Sequence, residues 1–193
     1  MESKRINWNE PRFDQEDINS VTEVLKNNYV NEGPKTKELE EALKKYLGVK
    51  HVTMTSNCTA SLFLAIKADS IIKGILDFEV IVPDMTMIAS ATSVGWAGGK
   101  VILADVDKET GLISIKDIKN KVTKKTIAIV CVDVLGRYPD YNEIKKIAYE
   151  KNISIIEDAA GALGSKDGDK FLGTFGKVGC YSLQSNKIIT CGQ

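Results

Sequence analysis

The stretch T-I-A-I-V-C-V (126–132), followed by I-S-I-I-E (153–157), decides the fold. Neither run alternates apolar with polar residues, and such continuous apolar runs are typical of strands that are covered on both faces. Between them, residues 141–151 have the apolar spacing of a helix. A strand, a helix and a second strand in this order predict two parallel strands of one sheet.

The same alternation extends in both directions along the chain. Further strands are predicted at 51–54, 79–82, 100–104 and 178–183, and further helices at 59–68, 86–97 and 114–120. The fold class is therefore α/β, with a mostly parallel, doubly wound sheet flanked by helices. Ligands of such sheets bind beyond the carboxyl ends of the strands.

The N-terminal quarter of the chain contains two amphipathic helices. The first covers residues 14–28, with Asp14 as its expected N-cap, and the second covers 39–47 and stops at Gly48. No Pro/Gly/Ser-rich linker interrupts the sequence, so we expect a single domain over 1–193. It would consist of an N-terminal arm and helices (1–50) and an α/β core (51–193) that binds the ligand.

Composition narrows the function classes. The 193 residues carry 26 Lys and Arg against 26 Asp and Glu, and this balance argues against nucleic acid or an anionic membrane as a partner. The absence of a long apolar run and of a signal-like start predicts a cytoplasmic protein. The four cysteines have no metal-type spacing, so no metal site is expected, and Cys131 and Cys180 are predicted core residues. The single histidine, His51, is expected at the surface.

Three polar segments follow predicted strands. T-S-N-C-T-A-S-L (55–62) leads into a helix, where it could bind an anion or simply cap the helix through Asn57 or Thr59. S-I-I-E-D-A-A-G-A-L-G (154–164) offers a carboxylate for a cationic ring nitrogen, a ribose hydroxyl, a metal or a helix cap. Y-S-L-Q-S-N-K-I-I-T-C-G (181–192) places Lys187 in a turn. An anion cradle, an aspartate and a lysine are together what a pyridoxal phosphate site requires.

Five motifs, in the right order, resemble the DegT/DnrJ/EryC1/StrS family of sugar-nucleotide aminotransferases. They are L-E-E-A-L-K-K-Y-L-G-V (39–49), V-P-D-M-T-M-I-A-S-A (82–91), V-I-L-A-D-V-D (101–107), E-D-A-A-G-A-L-G (157–164) and S-L-Q-S-N-K-I-I-T-C-G (182–192). The resemblance covers nearly the whole chain. It implies the large domain of a fold-type I aminotransferase, without the C-terminal small domain, because members of that family are about twice as long.

The resemblance also implies roles for individual residues. Lys187 corresponds to the catalytic lysine that forms a Schiff base with pyridoxal 5'-phosphate, and Asp158 to the residue that binds the pyridinium nitrogen. Ser182 and the turn at Cys58-Thr59 correspond to the phosphate site. Met87 stands where the family usually has an aromatic residue stacked on the ring, and Gly161 where a side chain, often glutamine, contacts the ring hydroxyl.

The implied reaction moves an amino group from an amino acid, usually glutamate, to a keto sugar carried as its nucleotide diphosphate. A homodimer is expected, because family members form their sites at a dimer interface. Three alternatives stay open. They are a dehydratase on the same scaffold, in which a histidine typically replaces the lysine, a catalytically incomplete domain that binds cofactor or a partner, and a plain nucleotide-binding α/β domain.

Overall fold

The computed structural model describes residues 11–192; the start of the predicted N-terminal arm (1–10) and Gln193 lie outside the described residues. The helices of this part are α1 (Gln15–Lys26), α2 (Pro34–Leu47), α3 (Cys58–Lys73), α4 (Ile88–Trp96), α5 (Ile115–Lys121) and α6 (Tyr141–Lys151). The strands are β1 (Glu79–Pro83), β2 (Lys100–Ala104), β3 (Thr126–Val132), β4 (Ser154–Asp158), β5 (Lys166–Asp167), β6 (Lys170–Phe171) and β7 (Val178–Cys180).

Five of these strands form one sheet in the order β2-β1-β3-β4-β7, and every neighbouring pair is parallel. Helices α3 and α4 cover one face and α5 and α6 the other, which is why β1, β3 and β4 are buried almost throughout. The predicted fold class is confirmed. The strand order reverses at β1, because β2 lies on one side of it and β3 on the other. In open α/β sheets this reversal marks the ligand-binding edge.

The predicted strand at 51–54 is wrong, since this segment pairs with no strand of the described chain. The backbone N–H of Met54 is instead bound at 2.8 Å by the Glu40 carboxylate of α2. An apolar run alone cannot tell a strand from an extended segment held by a side chain. The strand predicted at 178–183 ends earlier, at Cys180, and the helix predicted at 59–68 extends to Lys73.

Several local predictions are confirmed. The Asp14 carboxylate caps α1 by accepting from the backbone N–H groups of Glu16 and Asp17. Gly48 ends α2 in the left-handed conformation, with φ of 68°. Cys131 and Cys180 are buried in the core, and His51 is exposed. No helix within residues 11–192 combines the length and the apolar character needed to span a bilayer.

A buried ion cluster ties α3 to the amino ends of the central strands. The Asp69 carboxylate is paired with Lys73 at 2.9 Å and with Lys177 at 2.8 Å, and it accepts from the Ser154 hydroxyl at 2.8 Å. Lys73 also donates to the carbonyl of Ile127, the second residue of β3, at 2.7 Å. Burial alone would raise the pKa of Asp69, but the hydrogen bonds from Lys177, Lys73 and Ser154 outweigh it and lower that pKa. Asp69 is therefore the ionised centre of the cluster.

We expect Asp69→Ala to destabilise the chain by about 3 kcal/mol, because it leaves the largely buried Lys73 ammonium without its counter-ion. Urea unfolding followed by circular dichroism measures this loss. Asp77→Ala is the matched control, since Asp77 pairs with Lys125 at the surface and should cost less than about 1 kcal/mol. Equal losses for the two variants would show that the Asp69 cluster is not a stabilising feature.

Candidate active site

A cleft of about 1130 Å³ lies at the carboxyl ends of the strands, beside the N-termini of α3 and α4. Its walls come from the segment before α3, from the end of β4 and from the segment that follows β7. Six of the residues predicted for the site line it, namely Cys58, Thr59, Met87, Asp158, Ser182 and Lys187. The structure thus brings together residues that are up to 129 positions apart in the sequence, from Cys58 to Lys187.

Asp158 is the last residue of β4, and only 4% of it is exposed. Its Oδ2 accepts from the Ser90 hydroxyl at 2.6 Å, and its Oδ1 accepts from the backbone N–H of Ala160 at 3.3 Å. Burial raises the pKa of Asp158, while the Ser90 and Ala160 bonds and the charge of Lys187 oppose the rise. A carboxylate so enclosed is suited to bind a cation that enters the cleft.

Lys187 lies in a closed turn after β7. The turn is held by bonds from the Lys187 N–H to the Gln184 carbonyl and from the Cys191 N–H to the Leu183 carbonyl, both 2.9 Å. The Lys187 ammonium is close enough to Asp158 and Cys58 to oppose the rise in the pKa of each. An amine and a carboxylate of opposite charge therefore face the same cleft.

The N-terminus of α3 supplies donors for an anion. Asn57 is the N-cap, and its Oδ1 accepts from the N–H of Ala60 at 2.9 Å. The N–H groups of Cys58 and Thr59 donate to no residue of the described chain. The sequence left two roles open for this segment, and the first of them, helix capping, is confirmed. The second role, anion binding, is compatible with the structure, because two amides stay available beside Ser182 in the cleft wall.

Cys58 contributes backbone rather than a reactive thiol. Burial raises the pKa of Cys58 to about 12, the charge of Asp158 adds to the rise, and Lys187 opposes it. The thiol therefore stays protonated at neutral pH. Because the thiolate is the nucleophilic form of cysteine, Cys58 is not suited to nucleophilic catalysis.

Two of the predicted residues differ in their placement. Met87 is 75% exposed at the N-cap position of α4 and lines the cleft, where its thioether can contact a flat ligand. Gly161 is exposed and is not part of the cleft wall, and a side chain at this position would meet no atom within 4 Å. The structure does not bring Gly161 together with the other six, so its contact with a ligand stays a prediction.

Sequence reasoning missed Ser90 and Thr86, although both lie in the quoted motif 82–91. The Thr86 and Ser90 hydroxyl oxygens are 2.9 Å apart, and Ser90 then reaches Asp158. The available signal was their spacing of four residues within the helix predicted at 86–97, because such spacing places two hydroxyls on one face. No sequence feature indicated that this face meets the end of β4.

Two further buried carboxyls, those of Asp133 and Glu157, lie on the opposite face of the sheet. Asp133, which follows β3, is 1% exposed and accepts from the Tyr141 hydroxyl at 2.7 Å. Its other oxygen is buried and has no hydrogen-bond partner among the described residues. Burial raises the pKa of Asp133 to about 7; Tyr141 opposes the rise, and the charges of Glu157 and Asp158 add to it. Glu157 is better satisfied, because the N–H groups of Gly173 and Gly176 donate to its two oxygens.

Comparison with known proteins bears on this site. A sequence profile described as the DegT/DnrJ/EryC1/StrS aminotransferase family matches residues 11–193. GDP-perosamine synthase of Escherichia coli O157:H7 is 38% identical over 174 residues, which are 90% of this chain and 47% of that protein. The chain therefore spans about half the length of the curated relatives it matches.

Solved structures share the fold. A protein described as a sugar aminotransferase from Streptococcus pneumoniae, in its PLP form, superposes with a TM-score of 0.90 at 25% identity, over 97% of this chain and 51% of that one. GDP-4-keto-6-deoxy-D-mannose-3-dehydratase of E. coli, with bound hydrated PLP, superposes with a TM-score of 0.87 at 27% identity, over 95% and 48% of the two chains.

The buried Asp133 carboxyl makes stability depend on pH. Its pKa of about 7 lies above that of an unfolded aspartate, so between about pH 4 and 7 the folded chain binds more protons than the unfolded chain. Stability from this group is therefore fully present at low pH and is lost as the pH rises. The variant Asp133→Asn keeps an acceptor for Tyr141. We expect its free energy of unfolding, relative to that of the parent, to increase by about 2 kcal/mol when the pH is raised from 5 to 8.

Urea unfolding of both proteins at the two pH values measures this difference. Asp169→Asn is the control, since Asp169 is an exposed carboxyl that forms no hydrogen bond or ion pair with the described residues. A difference between parent and Asp133→Asn that does not change with pH would show that Asp133 is ionised throughout.

Proposed function

Because the chain belongs to the DegT/DnrJ/EryC1/StrS aminotransferase family, we propose that its cleft binds pyridoxal 5'-phosphate and serves a sugar-nucleotide aminotransferase. The observation that carries the proposal is that a nearly buried Asp158 and Lys187 line one cleft, with the open N-terminus of α3 beside them.

The residues present fit this cofactor. A pyridinium nitrogen needs an anionic acceptor, which Asp158 provides from the cleft floor. A phosphate needs several donors and a positive environment, which the N–H groups of Cys58 and Thr59 and the hydroxyl of Ser182 provide. An aldehyde needs a primary amine, which Lys187 provides. When bound, the cofactor supplies an electron sink for the carbon that carries the amino group.

Each residue then has a distinct task. The Lys187 Nζ would hold the cofactor covalently, and as a free amine it would accept a proton from the donor's α-carbon and supply one to the acceptor's carbon. Asp158 would favour the cationic form of the ring nitrogen. Met87, exposed at the rim, would offer its thioether to the flat ring.

The substrates are inferred from relatives. The name of the E. coli relative, GDP-perosamine synthase, supports a nucleotide-linked sugar as the amino acceptor. Glutamate is proposed as the donor because the family usually uses it. Since the chain spans about half of that relative's length, activity of the chain alone is part of the proposal.

A homodimer is proposed as the assembled form. Met87, Ile88, Ile188 and Ile189 are large apolar side chains that stay exposed next to the cleft, and a second copy would cover them. A cytoplasmic location remains a prediction from the sequence.

Cofactor attachment is tested by borohydride reduction of the chain loaded with pyridoxal phosphate. We expect one phosphopyridoxyl group per chain, located on Lys187 by peptide mass spectrometry, because reduction makes the lysine linkage permanent. Lys187→Ala should lose this label almost completely. Lys50→Ala, which removes another lysine of the same cleft, should keep it. Label that persists in Lys187→Ala at the parental yield would exclude the assignment.

Amino transfer is tested with L-glutamate in the absence of any sugar. The loaded chain should release one equivalent of 2-oxoglutarate, and Asp158→Asn should reduce the rate by at least about 100-fold, because the ring nitrogen loses its anionic partner. A coupled dehydrogenase assay measures the product. Borohydride labelling without any 2-oxoglutarate would favour the alternative of a binding domain that is catalytically incomplete.

A further inference from the structure

The Thr86 and Ser90 hydroxyls form a chain with a fixed direction toward Asp158. An ionised carboxylate can only accept, so the single hydroxyl proton of Ser90 is used in the 2.6 Å bond to Oδ2. The 2.9 Å contact between Ser90 and Thr86 must then be donated by Thr86. Both bonds therefore point the same way, and each strengthens the next.

The chain is not an ordinary helix contact. A serine inside a helix usually donates to a carbonyl of its own preceding turn, and Ser93 does so, with its hydroxyl 3.0 Å from the Ser90 carbonyl. Ser90 is equally buried in the same helix but donates to a residue 68 positions away on β4. The Ser93 hydroxyl thus forms its hydrogen bond within its own helix, whereas the Ser90 hydroxyl forms its hydrogen bond to a residue of the site.

The surroundings of Asp158 make such support necessary. Burial raises the pKa of Cys58 on α3, of Cys180 on β7 and of Asp133 beyond β3, and the charge of Asp158 adds to each of these rises. Glu157 precedes it on the same strand, and Lys187 is the cation that faces it. Burial favours the neutral form of Asp158. The hydrogen bonds from Ser90 and the Ala160 N–H and the charge of Lys187 favour its anionic form. The proposed function, however, requires the Lys187 amine for covalent attachment.

We propose that Ser90, supported by Thr86, is a positioning residue that keeps Asp158 anionic and orients it toward the cofactor's ring nitrogen. This inference rests on the proposed function and deepens it. Thr86 directly precedes Met87, so the connection between β1 and α4 carries both the hydroxyl that supports Ser90 and the thioether at the rim of the cleft. Changes in this connection should therefore affect cofactor binding in a pH-dependent way.

The first test needs no cofactor. Protein labelled with ¹³C at aspartate carboxyls is titrated by NMR, and the Asp158 signal is identified by its absence in Asp158→Asn. Ser90→Ala should raise the titration midpoint of Asp158 by about one pH unit, because a hydrogen bond to the charged form is lost. Thr86→Val should raise it by less, and Ser90→Thr should restore the parental value.

Ser93→Ala is the matched control for burial and helix packing, and it should leave the midpoint unchanged. If Ser90→Ala unfolds the chain, Thr86→Val alone decides the question, because Thr86 contacts Asp158 only through Ser90 and lies outside the buried core. An unchanged midpoint in Ser90→Ala or, failing that variant, in Thr86→Val would overturn the inference. A shift in Ser93→Ala equal to that in Ser90→Ala would do the same.

The second test measures the affinity for pyridoxal phosphate across pH. Because a raised pKa leaves more Asp158 neutral at low pH, Ser90→Ala should bind more weakly than the parent at low pH, by up to about tenfold for a rise of one pH unit, and nearly equally at pH 9. An equal loss at all pH values would indicate a merely structural role and overturn the inference. If the parent itself binds no pyridoxal phosphate, the proposed function fails, and the NMR titration still decides the role of Ser90.

Discussion

The parallel pairing of β3 with β4 fixes where the polar groups lie at both ends of the sheet. Five consecutive residue pairs, from Ala128–Ser154 to Val132–Asp158, fix the register of two strands that are buried on both faces. This register places Ser154 in the ion cluster at one end and Asp158 at the cleft at the other. A slip of one residue would exchange the faces on which Glu157 and Asp158 lie, and it would remove the carboxylate from the site.

Hydrogen bonding, rather than burial, distinguishes the three carboxyls at this edge. Asp133, Glu157 and Asp158 are all nearly inaccessible, and burial raises the pKa of each. They differ in the donors they receive. Glu157 has backbone N–H groups on both oxygens, Asp158 has the Ser90 hydroxyl and one N–H, and Asp133 has only the Tyr141 hydroxyl. Hydrogen-bond donors oppose the effect of burial on the pKa of each carboxyl, and the three carboxyls differ in how many donors they receive.

The sequence could predict the sheet and most of the cleft because these follow from local patterns. Continuous apolar runs indicated β1, β3 and β4, and the end of β4 led directly to Asp158. The failure at 51–54 had a nonlocal cause, since Glu40 of another element binds that segment. The roles of Ser90 and Tyr141 were also beyond sequence reasoning. Each depends on which face of a helix meets a strand end, and this is settled only by packing.

The polar groups at one end of the sheet stabilise the fold, and those at the other end line the proposed site. At the amino ends, Asp69 forms ion pairs with two lysines, and its charge contributes to folding. At the carboxyl ends, Asp158 keeps an oxygen with only one long hydrogen bond, and two amides of α3 donate to no described residue. Incompletely satisfied polar groups cost stability in the free protein, and they are retained where a ligand completes them. Because the aminotransferase and dehydratase neighbours share this fold, the sheet alone does not select the reaction. Selection must then come from the side chains of the cleft, and Lys187 is the amine to which the proposed aminotransferase function gives that role.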